Sequence, residues 1–297
     1  MAGAGEEALP LRPLTVGEVL DAATNLLRRY AGPLLSSALV LAVLEQVALY
    51  PLRRAAGVEP PWYLPAHLNS PLGGYWLLLA AGFGTESIAV TLLGGLAGRA
   101  AVADLLGRRP GRLLGGAARP GSLIALALLV GALAAGTAGA LFVPWLFWYA
   151  LAGLSGPALV VDRRPVPGAP VPPGVAPTRG LGPLAAIGRS SGLVRGAGGR
   201  PGLIRLLGYL AWWSIRLALG GGSVSLLQVV LPADSPFWWP AAMAVWTVVD
   251  TLAYAALGCL DAVLHLETRM RVEGLDIAVS RAVRTGRPVE PALAVPR

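Results

Sequence analysis

Four charged side chains, Glu45, Glu86, Arg216 and Asp250, stand inside long apolar runs of this sequence. On insertion scales a charge at the centre of a bilayer costs about 2.5–3.5 kcal/mol, so such residues persist where they find partners or serve a function. Arg216 can neutralise Glu45 or Asp250 in a structural ion pair; the acids can instead hold a solute, an ion or a lipid headgroup, or relay protons. Glu86 and Asp250 each follow an outer tryptophan by about ten residues, a spacing that lets them line one polar cavity. A second set has the types needed for covalent chemistry: Ser155, within Gly153-Leu154-Ser155-Gly156, is a nucleophile, and His265 is a base. The two histidines, His67 and His265, and the one cysteine, Cys259, have no metal-ligand spacing, so neither a metal nor another cofactor is expected.

The elements that must position these residues are membrane helices. Of 297 residues, 55% are hydrophobic and 13% charged, against about 25% charged in a soluble domain. The 24 cations are all arginine. Without lysine there is no Walker A phosphate loop, no Schiff-base amine and no Ser/Lys dyad, since guanidinium does not replace an amine in these roles. The net charge of +8 is matched to anionic lipid rather than nucleic acid. The Ala, Gly, Pro and Arg bias reads as that of a GC-rich bacterial genome.

A crossing of about 30 Å needs about 20 residues. Six segments reach that length, at about Ala31–Leu52, Tyr75–Leu96, Ser122–Leu141, Val143–Val161, Leu203–Gly222 and Trp238–Leu264. The third and fourth are separated at Phe142 and Pro144, where proline favours a new helix start. The expected fold is an all-α polytopic membrane bundle of six transmembrane helices plus two interfacial amphipathic helices. A tail of residues 1–14 precedes a membrane domain of 15–270, and a cytoplasmic tail of 271–297 follows. With the N-terminus inside, only Arg53, Arg54 and Arg216 of the 24 cations fall toward the outside, so both ends are expected in the cytoplasm of a bacterial cell whose inner membrane holds the spans. The outer loops carry Trp62, Tyr63, Trp238 and Trp239, residues suited to an aromatic belt. The first residues contain Glu6 and Glu7 and no basic region before an apolar core, so no cleavable signal peptide is expected.

Residues 15–30 form the first amphipathic helix, with Val16, Val19, Leu20, Ala23, Leu27 and Tyr30 at helical spacing. Thr15 and Glu18 predict a capping box, and Leu14 with Val19 a hydrophobic staple. After an irregular linker, 162–179, the second amphipathic helix spans 182–196, with Leu184, Ile187, Ser191 and Val194 on one face. Arg28, Arg29, Arg189 and Arg195 on these helices are expected to contact anionic lipid headgroups. The order of amphipathic helix, Gly/Pro break, outward span, Trp-bearing loop and inward span occurs at both ends of the chain and reads as a weak parallel repeat. Gly94 and Gly98, and the series Gly131, Ala135, Gly139, predict close helix contacts, while Gly220, Gly221 and Gly222 are expected to end a span.

The segments RPLTVGEVLDAATNLLRRYAGPLL, GLGPLAAIGRSSGLVRG and LDAVLHLETRMRVEGLDI resemble recurring segments of bacterial, largely actinobacterial, membrane proteins of the glycerophosphoryl diester phosphodiesterase membrane domain family. The resemblance implies a six-span bundle without an assigned activity, and the phosphodiesterase domain itself is not in this sequence. The GLSG run with His265 also resembles rhomboid intramembrane proteases, although the oxyanion-hole His and Asn of that family are not in the second span. The leading functional expectation is a non-catalytic, lipid-interacting accessory module with no catalytic residues. A transporter or permease component with a polar site near Glu86 and Asp250 is the alternative, and a rhomboid-like hydrolase the third. Partners are expected to be membrane lipids with anionic headgroups; a protein partner or homo-oligomer is open, and no nucleic acid is expected.

Overall fold

The computed structural model describes residues 10, 12–65, 72–105, 120–140, 142–165, 178–286, 289 and 291. The first helix, α1 (Val16–Arg29), begins with the expected capping box: the Glu18 amide donates to Thr15 Oγ1 at 3.4 Å and the Thr15 amide to Glu18 Oε2 at 2.7 Å. Hydrogen bonding from Arg12, then from Thr15, holds the Glu18 carboxyl down at about 2. The apolar stripe is not left to lipid alone. Val19, Ala23 and Leu26 are buried in protein, whereas Val16 and Leu20 stay exposed. The reason lies in the last span, whose helix runs well past Leu264 and offers α1 an apolar wall.

Only Tyr30 separates α1 from α2 (Ala31–Ala55), and Pro33 falls in the first turn of α2, where a missing N–H costs no helical bond. A small antiparallel hairpin, β1 (Val58–Glu59) with β2 (Leu64–Pro65), leads on to α3 (Leu72–Leu105). Next come α4 (Pro120–Gly139), α5 (Val143–Ala152) and α6 (Ser155–Val161). The expected break between the third and fourth spans is present, marked by Phe142 at φ 62° and by Pro144 in the first turn of α5. The ends of the linker pair as β3 (Arg163–Pro165) and β4 (Thr178–Gly180); residues 166–177 lie outside the described residues, as do His67, Arg108, Arg109, Arg112 and Arg119. The second amphipathic helix is α7 (Pro183–Gly196).

The fifth span is longer than expected. It joins α8 (Arg200–Arg216), a π-helical segment at Leu217–Gly221 and α9 (Gly222–Val230) without interruption. Gly220 and Gly221 therefore do not end a span: a Cβ on Gly220 would lie 2.7 Å from the Trp246 ring, and one on Gly221 2.1 Å from that of Trp62. The last span is α10 (Trp238–Glu273), which ends at Gly274 with φ 65° and hands over to α11 (Leu275–Arg284) within the expected tail. Trp238 is buried at the start of α10 rather than lying in an aromatic belt.

Six of these segments, Ala31–Ala55, Gly73–Leu105, Pro120–Gly139, Val143–Val161, Arg200–Val230 and Trp238–Glu273, are long and apolar enough to cross a bilayer. The chain is an all-α membrane bundle. Its centre is the pair α3 and α10, which meet where a Cβ on Gly258 would stand 2.8 Å from that of Leu93 and 3.0 Å from the Gly94 nitrogen. The small-residue series of α4 packs on α3, with the Gly131 Cβ position 2.7 Å from the Gly84 carbonyl oxygen. Lipid gives apolar side chains no hydrophobic drive to associate, and close backbone approach supplies dispersion contacts instead.

Candidate functional site

The four intramembrane charges converge. Arg216, at the end of α8, donates through Nη1 to Glu86 Oε1 of α3 at 2.8 Å and through Nε to Asp250 Oδ1 of α10 at 2.9 Å. Arg216 thus joins Asp250 as one expectation had it, and Glu86 as well. Glu45 of α2 is different, because among the described residues it accepts only from hydroxyls, Thr85 at 2.6 Å and Tyr254. Tyr254 in turn lies 3.3 Å from Arg216 Nη2, so Glu45 belongs to the network through a phenol rather than a guanidinium.

Five further polar side chains, missed in the sequence, complete the cluster. Thr85 and Tyr254 bind Glu45, and Tyr209 donates to Glu86 at 3.2 Å. Gln46 donates to Asp250 Oδ2 at 2.9 Å and accepts from Arg53. The Arg53 guanidinium sits 4.4 Å from the centre of the Tyr63 ring. A signal was available: Glu45, Leu49 and Arg53 recur every four residues, as do Asp250 and Tyr254, which places each set on one helix face.

All of these groups except Thr85 line a cavity of about 290 Å³ between α2, α3, α8 and α10, with Trp62, Trp213 and Trp246 in its aromatic wall. Of these, Trp62 and Trp213 are 48% and 47% exposed. The π segment follows Arg216 directly; such insertions re-phase a helix and recur at functional sites. Among the described residues no group of three or more His, Cys, Asp or Glu is placed to hold a metal.

Comparison with family models, curated proteins and solved structures finds no match. Function must therefore be argued from geometry.

A second polar region fills the opposite end of the bundle. Arg205, counted above among the cytoplasmic arginines, is instead buried and forked onto Asp261 of α10, at 2.6 Å and 3.1 Å. Asp162, just after α6, takes His265 Nε2 at 2.8 Å, Arg269 at 3.0 Å and Arg189 at 2.7 Å. Burial raises the Asp162 pKa, but His265, Arg269 and Arg189 outweigh it and leave the carboxyl well below the usual aspartate range. Glu267 binds Arg200 at 2.9 Å and Arg271 at 2.7 Å. Both arginines also donate to the Leu14 carbonyl, which ties α1 to this region.

The four arginines expected at lipid headgroups divide accordingly. Arg28 and Arg195 are exposed, whereas Arg29 pairs with Asp104, and Arg189 is engaged by Asp162 and Glu273. Of the expected face of α7, Ser191 and Val194 are buried and Ile187 partly so, whereas Leu184 is 76% exposed and Ala186, Ser190 and Leu193 are buried in addition. Ser190 Oγ accepts from the Leu154 amide at 3.1 Å, which the small side chains of Ala186 and Ser190 permit by close approach.

That contact falls inside the GLSG run, whose glycines have packing roles. A Cβ on Gly153 would be 1.9 Å from Arg205 Nε, and one on Gly156 2.4 Å from the Thr91 carbonyl oxygen. Ser155 is fully buried with an unbonded hydroxyl, and the bonded nitrogen of His265 goes to Asp162.

Proposed function

We propose that this chain is a non-catalytic module of a bacterial cell membrane that holds a small polar solute between α2, α3, α8 and α10, as the binding or permease component of a larger system. The observation that carries this reading is the coincidence of the intramembrane charges with a cavity. Charges whose purpose is only to fasten helices gain by excluding water, since dry surroundings strengthen each pairing once it is made; here Glu45, Glu86, Arg216 and Asp250 instead border open space. The arginine-rich end, which carries α1, α7 and α11, is read as cytoplasmic by the positive-inside rule, so the cavity faces outward.

Cysteine labelling tests this. In a Cys259→Ala background, Leu79→Cys on the cavity wall should react with a water-soluble thiol reagent applied from outside to intact cells. Absence of labelling there would overturn a hydrated, outward-facing site.

A second reading, contact with anionic lipid at the other end, is supported by the exposed Arg28, Arg195, Arg281 and Arg284 beside the exposed Val16 and Leu20. The three segments that resemble the glycerophosphoryl diester phosphodiesterase membrane domain include α1, α7 and the end of α10, and both short helices pack on α10. Membership of that family is part of the same proposal.

A further inference from the structure

We infer that the solute held in the cavity is a monovalent organic cation, of guanidinium or ammonium type, met by Glu45; the inference rests on the cavity being a binding site. The cavity wall carries three carboxylates, Glu45, Glu86 and Asp250, and two guanidiniums, Arg53 and Arg216. Arg216 lies between Glu86 and Asp250. Arg53 is tied to the neutral side chain of Gln46 and covers Tyr63. Glu45 is left with two hydroxyl donors, and a buried carboxylate is satisfied electrostatically only by an opposite charge or by a proton. With all three carboxylates ionised, the described residues of the cavity wall are one positive charge short.

Its walls suit such a charge. Trp62, Tyr63, Trp213 and Trp246 line the cavity, and aromatic rings attract cations through the ring quadrupole. Arg53 over Tyr63 demonstrates the attraction within the chain itself, as a tethered guanidinium at the cavity wall. The volume of about 290 Å³ gives room for a compact solute. Other ligand classes fit less well. An anion would add to the excess negative charge, and a neutral solute would leave Glu45 to be compensated by a proton, so its binding would not be favoured by ionised Glu45. A hard divalent ion needs six or more oxygens, while Glu86 and Asp250 are already engaged by Arg216.

A cation and a proton compete for Glu45, so binding should weaken as pH falls. The charged and titratable groups that share the cavity wall with Glu45 are Asp250 and Tyr254 on α10, Glu86 and Tyr75 on α3, Arg216 and Tyr209 on α8, Arg53 on its own helix, and Tyr63 just before β2.

The test is calorimetric titration of the full chain in detergent with methylguanidinium, tetramethylammonium, the neutral isostere methylurea and the anion methanesulfonate. Both cations should bind at pH 8, at least tenfold tighter than methylurea or methanesulfonate, and more weakly at pH 5. Glu45→Gln, which keeps an acceptor for Tyr254, should lose tenfold or more in cation affinity and lose the pH dependence, with thermal unfolding used to show that it folds. Arg53→Gln should bind methylguanidinium more tightly, because it removes the tethered competitor, and this supplies an independent reading should Glu45→Gln fail to fold. Equal binding of methylurea or methanesulfonate, or cation affinity unchanged in Glu45→Gln, overturns the inference. So does binding of no probe by a protein whose Leu79→Cys is labelled, an outcome that leaves the hydrated cavity standing; absence of that label removes the site reading itself.

Discussion

At one end of the bundle Asp162, Asp261, Glu267 and Glu273 each meet at least one arginine, whereas in the other half Glu45, among the described residues, meets only hydroxyls. The two regions use the same side-chain types on the same central helix. Pairing each buried acid with a guanidinium satisfies both and fixes how the helices sit, so the matched region acts as a clamp on α1, α6, α7, α8 and α10. Leaving one acid without a cation, beside open volume, gives the other region something to bind. The difference indicates that burial of charge does not by itself mark function; on the proposed reading it is the unmatched charge beside a cavity that does.

The sharpest way to break the comparison is to unmatch the matched region. Arg205→Leu leaves Asp261 buried and alone, and should cost about 3–5 kcal/mol, the usual penalty for removing one partner of a buried pair. Arg205→Leu/Asp261→Leu should recover most of that loss in thermal unfolding of the detergent-solubilised protein. Additive losses would mean that the fork at 2.6 Å and 3.1 Å is not the dominant partnership of either residue.

In the cavity region the same kind of change should do less. Arg216→Leu is expected to cost about 1–3 kcal/mol, because water in the cavity can solvate part of what is exposed. Arg216→Leu/Asp250→Leu should recover only a fraction, since Glu86 still lacks its partner. A loss as large as that of Arg205→Leu would show that the cavity is dry, and would remove the contrast between the regions.

Much of this contrast was legible in the sequence, though not all. Helical periodicity and run length located six spans and both amphipathic helices, because these depend on local pattern. Glu45, Glu86, Arg216 and Asp250 stood out against apolar neighbours. The matched region was overlooked for a physical reason: Arg205, Glu267 and Arg269 lie near the ends of apolar runs, where a charge normally reaches water, and only tertiary packing of α1, α6 and α7 around α10 buries them. Asp261, His265, Arg269 and Glu273 do recur every four residues on α10, a line that a search for polar ridges would have found. The π segment after Arg216 left no local signal beyond three glycines, which fit a helix end equally well.

Acid sensitivity sharpens the comparison at moderate size. The Asp162 carboxyl is held below its ordinary value in the folded chain, so its stabilising contribution is complete above the unfolded value of about 3.9 and is lost as pH falls through the depressed folded value. Unfolding temperature should therefore drop between about pH 5 and pH 2 more steeply in the natural chain than in Asp162→Asn. Parallel curves would show that His265, Arg269 and Arg189 do not act together on Asp162.

The smallest effect expected is at the edge of the clamp. Thr15→Ala removes the side-chain half of the capping box and should cost about 1 kcal/mol, because the amide that Thr15 Oγ1 accepts from is otherwise left to water. Its consequence should stay local. Leu14 and Val19 remain buried, and the Leu14 carbonyl keeps Arg200 and Arg271 at 2.9 Å and 3.1 Å, so faster hydrogen exchange should be confined to the first turn of α1. Cation titration of the cavity should be unchanged, since α1 contributes no residue to its wall. A change in cation affinity with Thr15→Ala would mean that the matched and unmatched regions are coupled along α10, and that the clamp helps to set the state of the site.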